Sequence, residues 1–108
     1  HKYRPWIDFD ALPFYGRGAG WQRQLHIYEC PFYYIDYCLS TMAALQFFLL
    51  SLHDQKDAWA RYLRLVRRAG TASYTELCET GGLQVPFNDG SIKAIAQQMS
   101  QWIAEHQV

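Results

Sequence analysis

The segment PFYYIDYCLSTMAALQFFLLSL, residues 31–52, decides the fold of this chain. Its apolar residues, among them Phe32, Ile35, Leu39, Met42, Leu45, Leu49 and Leu52, recur every three or four positions and cover more than one face. A helix apolar on most sides belongs at the centre of a bundle. Pro31 suits the first turn of such a helix, where its missing N–H would have had no partner. A membrane span is the competing reading, but Asp36, Ser40, Thr41 and Gln46 break the stretch. No run of about 18 uninterrupted apolar residues is present. A buried core helix is expected.

Downstream, Asp54 reads as the N-cap of a second helix, with Asp57 favouring the dipole in its first turn. Trp59, Tyr62, Leu63 and Val66 form its expected inner face. Arg61, Arg64, Arg67 and Arg68 lie mostly opposite, and Gly70 stops the helix. Ser73-Tyr74-Thr75-Glu76 has the form of a capping box and opens a short helix ending at Gly81-Gly82. A connection containing Pro86 leads to the last helix, which starts after Asn88, Asp89 or Ser91 and runs to the region of Glu105. Its stripe is Ile92, Ile95, Ala96, Met99, Trp102 and Ile103. Upstream, residues 1–30 are aromatic and irregular, with Pro5, Pro13, Gly16, Gly18 and Gly20. The expected fold is therefore all-α, an irregular aromatic N-terminal segment followed by about four helices in an orthogonal array.

Composition narrows the function classes. A chain of 108 residues builds one small domain, and 50% hydrophobic with 19% charged residues excludes a disordered tail. Ten Lys+Arg balance ten Asp+Glu, which argues against a broad nucleic-acid footprint. The aromatic fraction is 17%, a load suited to a packed core plus a binding surface. Cys30, Cys38 and Cys78 are odd in number, form no CxxC pair, and read as buried small hydrophobes. The polar start His1–Pro5 is no signal peptide, and the absence of an initiator Met suggests a piece of something longer. A cytoplasmic chain without nucleic-acid or membrane partners is expected.

Among the histidines His1, His26, His53 and His106, none belongs to an HExxH motif. Gly16-Arg17-Gly18-Ala19-Gly20 lacks the spacing of a phosphate loop. Its glycines let the backbone turn between Tyr15 and Trp21, or border a substrate cleft. Residues 26–37, HIYECPFYYIDY, are richer. Tyr34 and Tyr37 stand at i, i+3 and Tyr33 and Tyr37 at i, i+4, so either pair suits one helix face. Phenol and imidazole groups donate hydrogen bonds to a developing oxyanion. A core helix whose tyrosines satisfy their hydroxyls locally fits the same spacing.

That block, with Gly20-Trp21-Gln22-Arg23-Gln24 before it and Leu39–Gln46 after it, resembles the C-terminal signature of the oligoendopeptidase F branch of the thimet-oligopeptidase-like zinc metallopeptidases. Tyr62, Gly70, Glu76-Leu77 and Gly81-Gly82-Leu83 also resemble that family's closing helices. The resemblance covers essentially the whole chain. It implies a mostly helical enzyme that encloses short peptides in a deep channel and cuts them with one zinc ion. On it, His26 matches the histidine that holds substrate and stabilises the tetrahedral intermediate. Tyr37 matches a tyrosine aimed at the oxyanion and Tyr34 its companion, a role that Tyr33 would take if the register differs by one. Tyr28, Gly18 and Gly20 are expected on the substrate-binding wall.

The family's zinc ligands and general base, carried by HExxH and a downstream glutamate, have no counterpart here. The resemblance therefore implies that residues 1–108 are a single C-terminal helical portion of a larger catalytic domain. Zinc would be held upstream, with no metal ligand in this chain, which alone would be inactive. Its partners would be short peptides and the upstream polypeptide, against which the 31–52 helix would pack; excised, the chain would self-associate. The competing classes are a stand-alone helical peptide-binding or interaction module without catalysis, and a purely structural domain. Cleavage by a longer chain discriminates between them.

Overall fold

A computed structural model describes residues 5–9 and 11–106, which divide into two units, 1–36 and 37–108. In the first unit, α1 (Pro13–Gly16), a 3₁₀ turn (Ala19–Arg23) and α2 (Leu25–Glu29) follow one another. Each is far shorter than the roughly 12–15 residues an isolated helix needs, so ring packing must hold them. Phe9 stacks on Tyr15 at 6.0 Å, Phe14 meets Tyr15 edge-on at 5.5 Å, and Trp21 stacks on Tyr28 at 6.3 Å. Gly18, at φ 74°, makes the left-handed step from α1 into the 3₁₀ turn. The segment expected to be irregular is thus a series of short helices pinned by aromatic rings.

Pro31 opens no helix. Tyr33 N–H donates to the Cys30 carbonyl at 3.1 Å and Phe32 has φ 70°, which is a type II turn with proline at its second position. The left-handed state costs a non-glycine residue about 1–2 kcal/mol. Helix α3 begins four residues later and spans Ile35–His53, its first two residues falling in the first unit.

The second unit completes an all-α chain with α4 (Gln55–Arg68), α5 (Tyr74–Gly81) and α6 (Ser91–Glu105); no strand occurs among the described residues. The middle of α3 meets two neighbours. Phe47 packs edge-on against Tyr62 of α4 at 5.6 Å, and Phe48 against Trp102 of α6 at 4.9 Å. Yet Gln46 is the one buried residue of α3. Ile35 and Leu52 stand about half exposed and the middle of the helix is half-buried, so the expected burial of this helix is corrected: it is central but only partly covered. By length and composition α3 is long and apolar enough to cross a bilayer, a test that core helices of soluble proteins also pass.

Gln46 explains itself by its bonds. Its Oε1 accepts the Gln84 N–H at 2.7 Å and its Nε2 donates to the Gln84 carbonyl at 3.1 Å. One buried amide thereby satisfies both backbone groups of a residue in the connection after α5. Tyr74 adds a second tie, its hydroxyl donating to the Leu39 carbonyl at 3.0 Å. Burial, reinforced by Cys78, pushes that phenol above the ordinary tyrosine range.

The caps fall where local chemistry puts them. Asp54 accepts from the N–H groups of Lys56 and Asp57, and Arg61 pairs with Asp57 one turn on at 2.6 Å. Gly82, at φ 67°, ends α5, with Leu83 N–H donating to the Cys78 carbonyl at 2.8 Å. The exception is α6, whose N-cap is Gly90 at φ 81° with no side-chain cap, in place of Asn88, Asp89 or Ser91.

The inner face of α4 also needs correction. Ala58 is buried and Arg61 and Leu65 are half-buried, whereas Trp59, Tyr62 and Val66 are exposed. The Gly81-Gly82 pair is the cause. A Cβ on Gly81 would meet Leu65 at 3.3 Å, and one on Gly82 would collide with the Arg61 guanidinium, so the missing side chains let Arg61 and Leu65 of α4 lie against the end of α5. Of the cysteines, Cys78 alone is buried. Cys30 lies in the turn before α3 and Cys38 at the start of α3, where every residue from Ile35 to Cys38 is exposed.

The capping box of α5 carries a pH dependence. Glu76 accepts from the Ser73 hydroxyl at 2.7 Å and the Ser73 N–H at 2.8 Å, and these bonds, the side-chain one first, hold its carboxyl below the usual range. A carboxyl depressed in the folded state contributes stability above its unfolded pKa and loses it as pH falls through the folded value. Amide exchange in the first turn of α5 is expected to accelerate relative to α4 on acidification, once intrinsic rates are divided out. Glu76→Gln should flatten that dependence; an unchanged profile in the variant would remove Glu76 as its source.

Candidate functional site

Helix α2 carries His26, half-buried, and ends at Glu29. The type II turn over Cys30–Tyr33 then reverses the chain and returns two tyrosines to that histidine. Tyr33 stacks on the His26 ring with centroids 6.0 Å apart and planes 11° from parallel. Tyr34 meets the same ring at 5.3 Å, tilted by 52°. Phe32, at the corner, is 93% exposed. Because α3 starts at Ile35, neither Tyr33 nor Tyr34 shares a helix face with Tyr37; what unites them is the turn that delivers both to His26.

Tyr34 also borders an open cavity of about 910 Å³ in the first unit. Gly18, Gly20, Tyr15, Trp21 and Ile27 help line it. Gly20 makes room for a ring: a Cβ on it would sit 3.0 Å from Tyr15 Cδ1. Tyr28 is not on this lining but stacks behind Trp21, which is. Tyr37 belongs to the second unit, in the first turn of α3, half exposed, its carbonyl accepting from Thr41 Oγ1 at 2.6 Å and Ser40 Oγ at 3.2 Å.

Sequence reasoning passed over the two arginines of this cavity. Arg23 lies over the Tyr15 ring, its Cζ 5.8 Å from the centroid, and donates to the Tyr15 hydroxyl. Arg17 lines the cavity beside Gly16 and Gly18. The available signal was two guanidinium groups set among glycines and aromatics in a chain of zero net charge.

Chemically, an imidazole backed by phenols offers N–H and O–H donors to an oxygen that gains negative charge. It does not offer a metal site. Among the described residues no three His, Cys, Asp or Glu side chains are placed to hold an ion, so zinc does not fit the described residues of this chain. His53 and His106 are exposed and do not line the cavity, and His106 stacks on Trp102 at 4.4 Å.

No protein-family model matches the chain, and no curated protein matches it by sequence. Solved structures do. The chain is similar to a protein described as an oligoendopeptidase F, with 38% identity and a TM-score of 0.86 over 97% of this chain and 19% of that one. It is also similar to a PZ peptidase A solved with an inhibitor, with 40% identity and a TM-score of 0.87 over 98% of this chain and 19% of that one. The chain thus spans 19% of the length of either relative.

Proposed function

Because this chain belongs to the oligoendopeptidase F-type proteins, as a C-terminal portion of one, we propose that it forms a substrate wall of a zinc-dependent oligoendopeptidase acting on short peptides. The observation that carries this reading is the His26 ring packed against Tyr33 and Tyr34, the second of which borders a cavity. Residues 1–108 then act as one C-terminal helical portion of a larger catalytic domain. The metal and the base that serves it are assigned to the remainder of the polypeptide. Zinc when bound there would polarise water or a carbonyl. The three free cysteines support a reducing, cytoplasmic setting.

This chain's own share is to bind and to donate. Attack on a peptide carbonyl moves negative charge onto its oxygen, and donors already aimed there lower the barrier without reorganising. His26 and Tyr37 are assigned as those donors, with Tyr34 against His26. What favours Tyr34 over Tyr33 is that Tyr34 borders the cavity, whereas Tyr33 lies flat on the imidazole and fixes its plane. Gly18 leaves room for an extended peptide, Gly20 makes room for the Tyr15 ring of the same wall, and Tyr28 supports that wall through Trp21.

The test is an assay of the full-length protein on short internally quenched peptides. Cleavage that a chelator abolishes and added zinc restores is the expected result. Peptide binding without cleavage by zinc-loaded protein would overturn the enzyme reading in favour of a helical peptide-binding module.

A further inference from the structure

The cavity of the first unit carries more information than room for a peptide. Its described lining holds two arginines and no carboxylate. The surplus is local, since the whole chain has as many acidic as basic residues. The two guanidinium groups are not equivalent. Arg23 is occupied by Tyr15, over whose ring it lies and to whose hydroxyl it donates. Arg17 makes no hydrogen bond through its side chain and no ion pair with any described residue, although it is a planar fork of five donors set on the cavity wall. That fork matches the two oxygens of a carboxylate better than any other group a peptide carries. Around it the described wall is mostly glycine and aromatic ring, with Gln24 and Ile27, and none of these described residues offers its charge a counter-ion. Tyr34 borders the same cavity and touches His26, so a peptide lying in the cavity continues toward the histidine.

We propose that this cavity binds a carboxylate of the peptide and that Arg17 pairs with it. The proposal rests on the peptidase reading for the identity of the ligand as a peptide. The carboxylate has two sources, the free C-terminus or an acidic side chain, and both present the same two oxygens.

The experiment uses the full-length protein and one short peptide in three forms: free acid, C-terminal amide, and free acid with its glutamate replaced by glutamine. Affinity is read on metal-stripped protein by calorimetry, and cleavage separately on zinc-loaded protein. The expected result is loss of affinity by about tenfold on removing one of the two carboxylates, the lower end for a hydrogen bond to a charged group. Loss on amidation identifies the C-terminus, and loss on the glutamine exchange identifies the side chain. Arg17→Gln should bind the three forms alike, and Arg17→Lys, which keeps the charge without the fork, should retain part of the discrimination. Arg64→Gln, an exposed charge on α4, should retain all of it. Equal affinity for the three forms in the unaltered protein, no binding of any form, or discrimination that survives Arg17→Gln would each overturn the proposal. The two readings fail separately. Discrimination without cleavage removes the peptidase and keeps Arg17, whereas cleavage without discrimination does the reverse.

Discussion

On the proposed peptidase reading, Tyr37→Phe in the full-length protein is expected to lower kcat by about 10²–10³-fold, the usual effect of removing one oxyanion donor. KM should stay within a few-fold, in keeping with a bond made mainly in the transition state, and bound zinc should be unchanged. The substitution deletes one hydroxyl and leaves the ring, so it separates two roles that the sequence alone could not. If Tyr37 served only to pack, as a half-exposed ring in the first turn of α3, the phenylalanine variant would be close to silent. If it steadied the metal, zinc and activity would fall together. Only a hydroxyl acting on the charge that develops during attack gives a large fall in kcat with metal intact. The complementary substitution, His26→Ala, removes a donor and the surface on which Tyr33 and Tyr34 rest. Its effect should therefore exceed that of Tyr37→Phe and include a rise in KM.

The second large effect is structural. Gln46→Leu keeps the volume of a buried side chain while orphaning the N–H and C=O of Gln84, which Gln46 holds at 2.7 and 3.1 Å. An unsatisfied buried polar group costs about 1–3 kcal/mol, and Gln84 itself is exposed, so water recovers part of the loss. A net destabilisation of about 2 kcal/mol is expected. Because a large protein does not unfold in one step, the sharper readout is local. Hydrogen exchange across residues 83–87 should accelerate by more than tenfold in Gln46→Leu, while exchange in α4 stays as it was. Unchanged protection at Gln84 would show that the connection is held by its neighbours rather than by Gln46.

How far the sequence could be read depends on the range of each interaction. The caps at Asp54 and at Ser73 with Glu76 are legible because donor and acceptor lie within three residues. Gly82 is legible because a left-handed residue is needed where a helix ends. Helix faces are less so. Periodicity placed Trp59, Tyr62 and Val66 of α4 inward, but the close approach of the Gly81-Gly82 pair sets Arg61 and Leu65 against the end of α5. Gln46 looked like an interruption in an apolar run because its partner is 38 residues away. At the site, Pro31 is at home both in a first helical turn and at the second position of a type II turn. A phenylalanine at φ 70° carries no signal that would choose the turn. The spacing puts Tyr33 or Tyr34 on one helix face with Tyr37, whereas the turn ahead of α3 packs Tyr33 and Tyr34 on His26 instead.

That turn also bears on how the protein tolerates change. Phe32 holds a backbone state that glycine or asparagine enters at little cost, and its ring is 93% exposed to solvent in this portion of the chain. A library selected for resistance to unfolding would drain phenylalanine from position 32, whereas one selected for turnover would keep it to the extent that the ring matters to the assembled enzyme. The divergence of the two enrichment profiles at that codon separates the demands of folding from those of activity at a single residue.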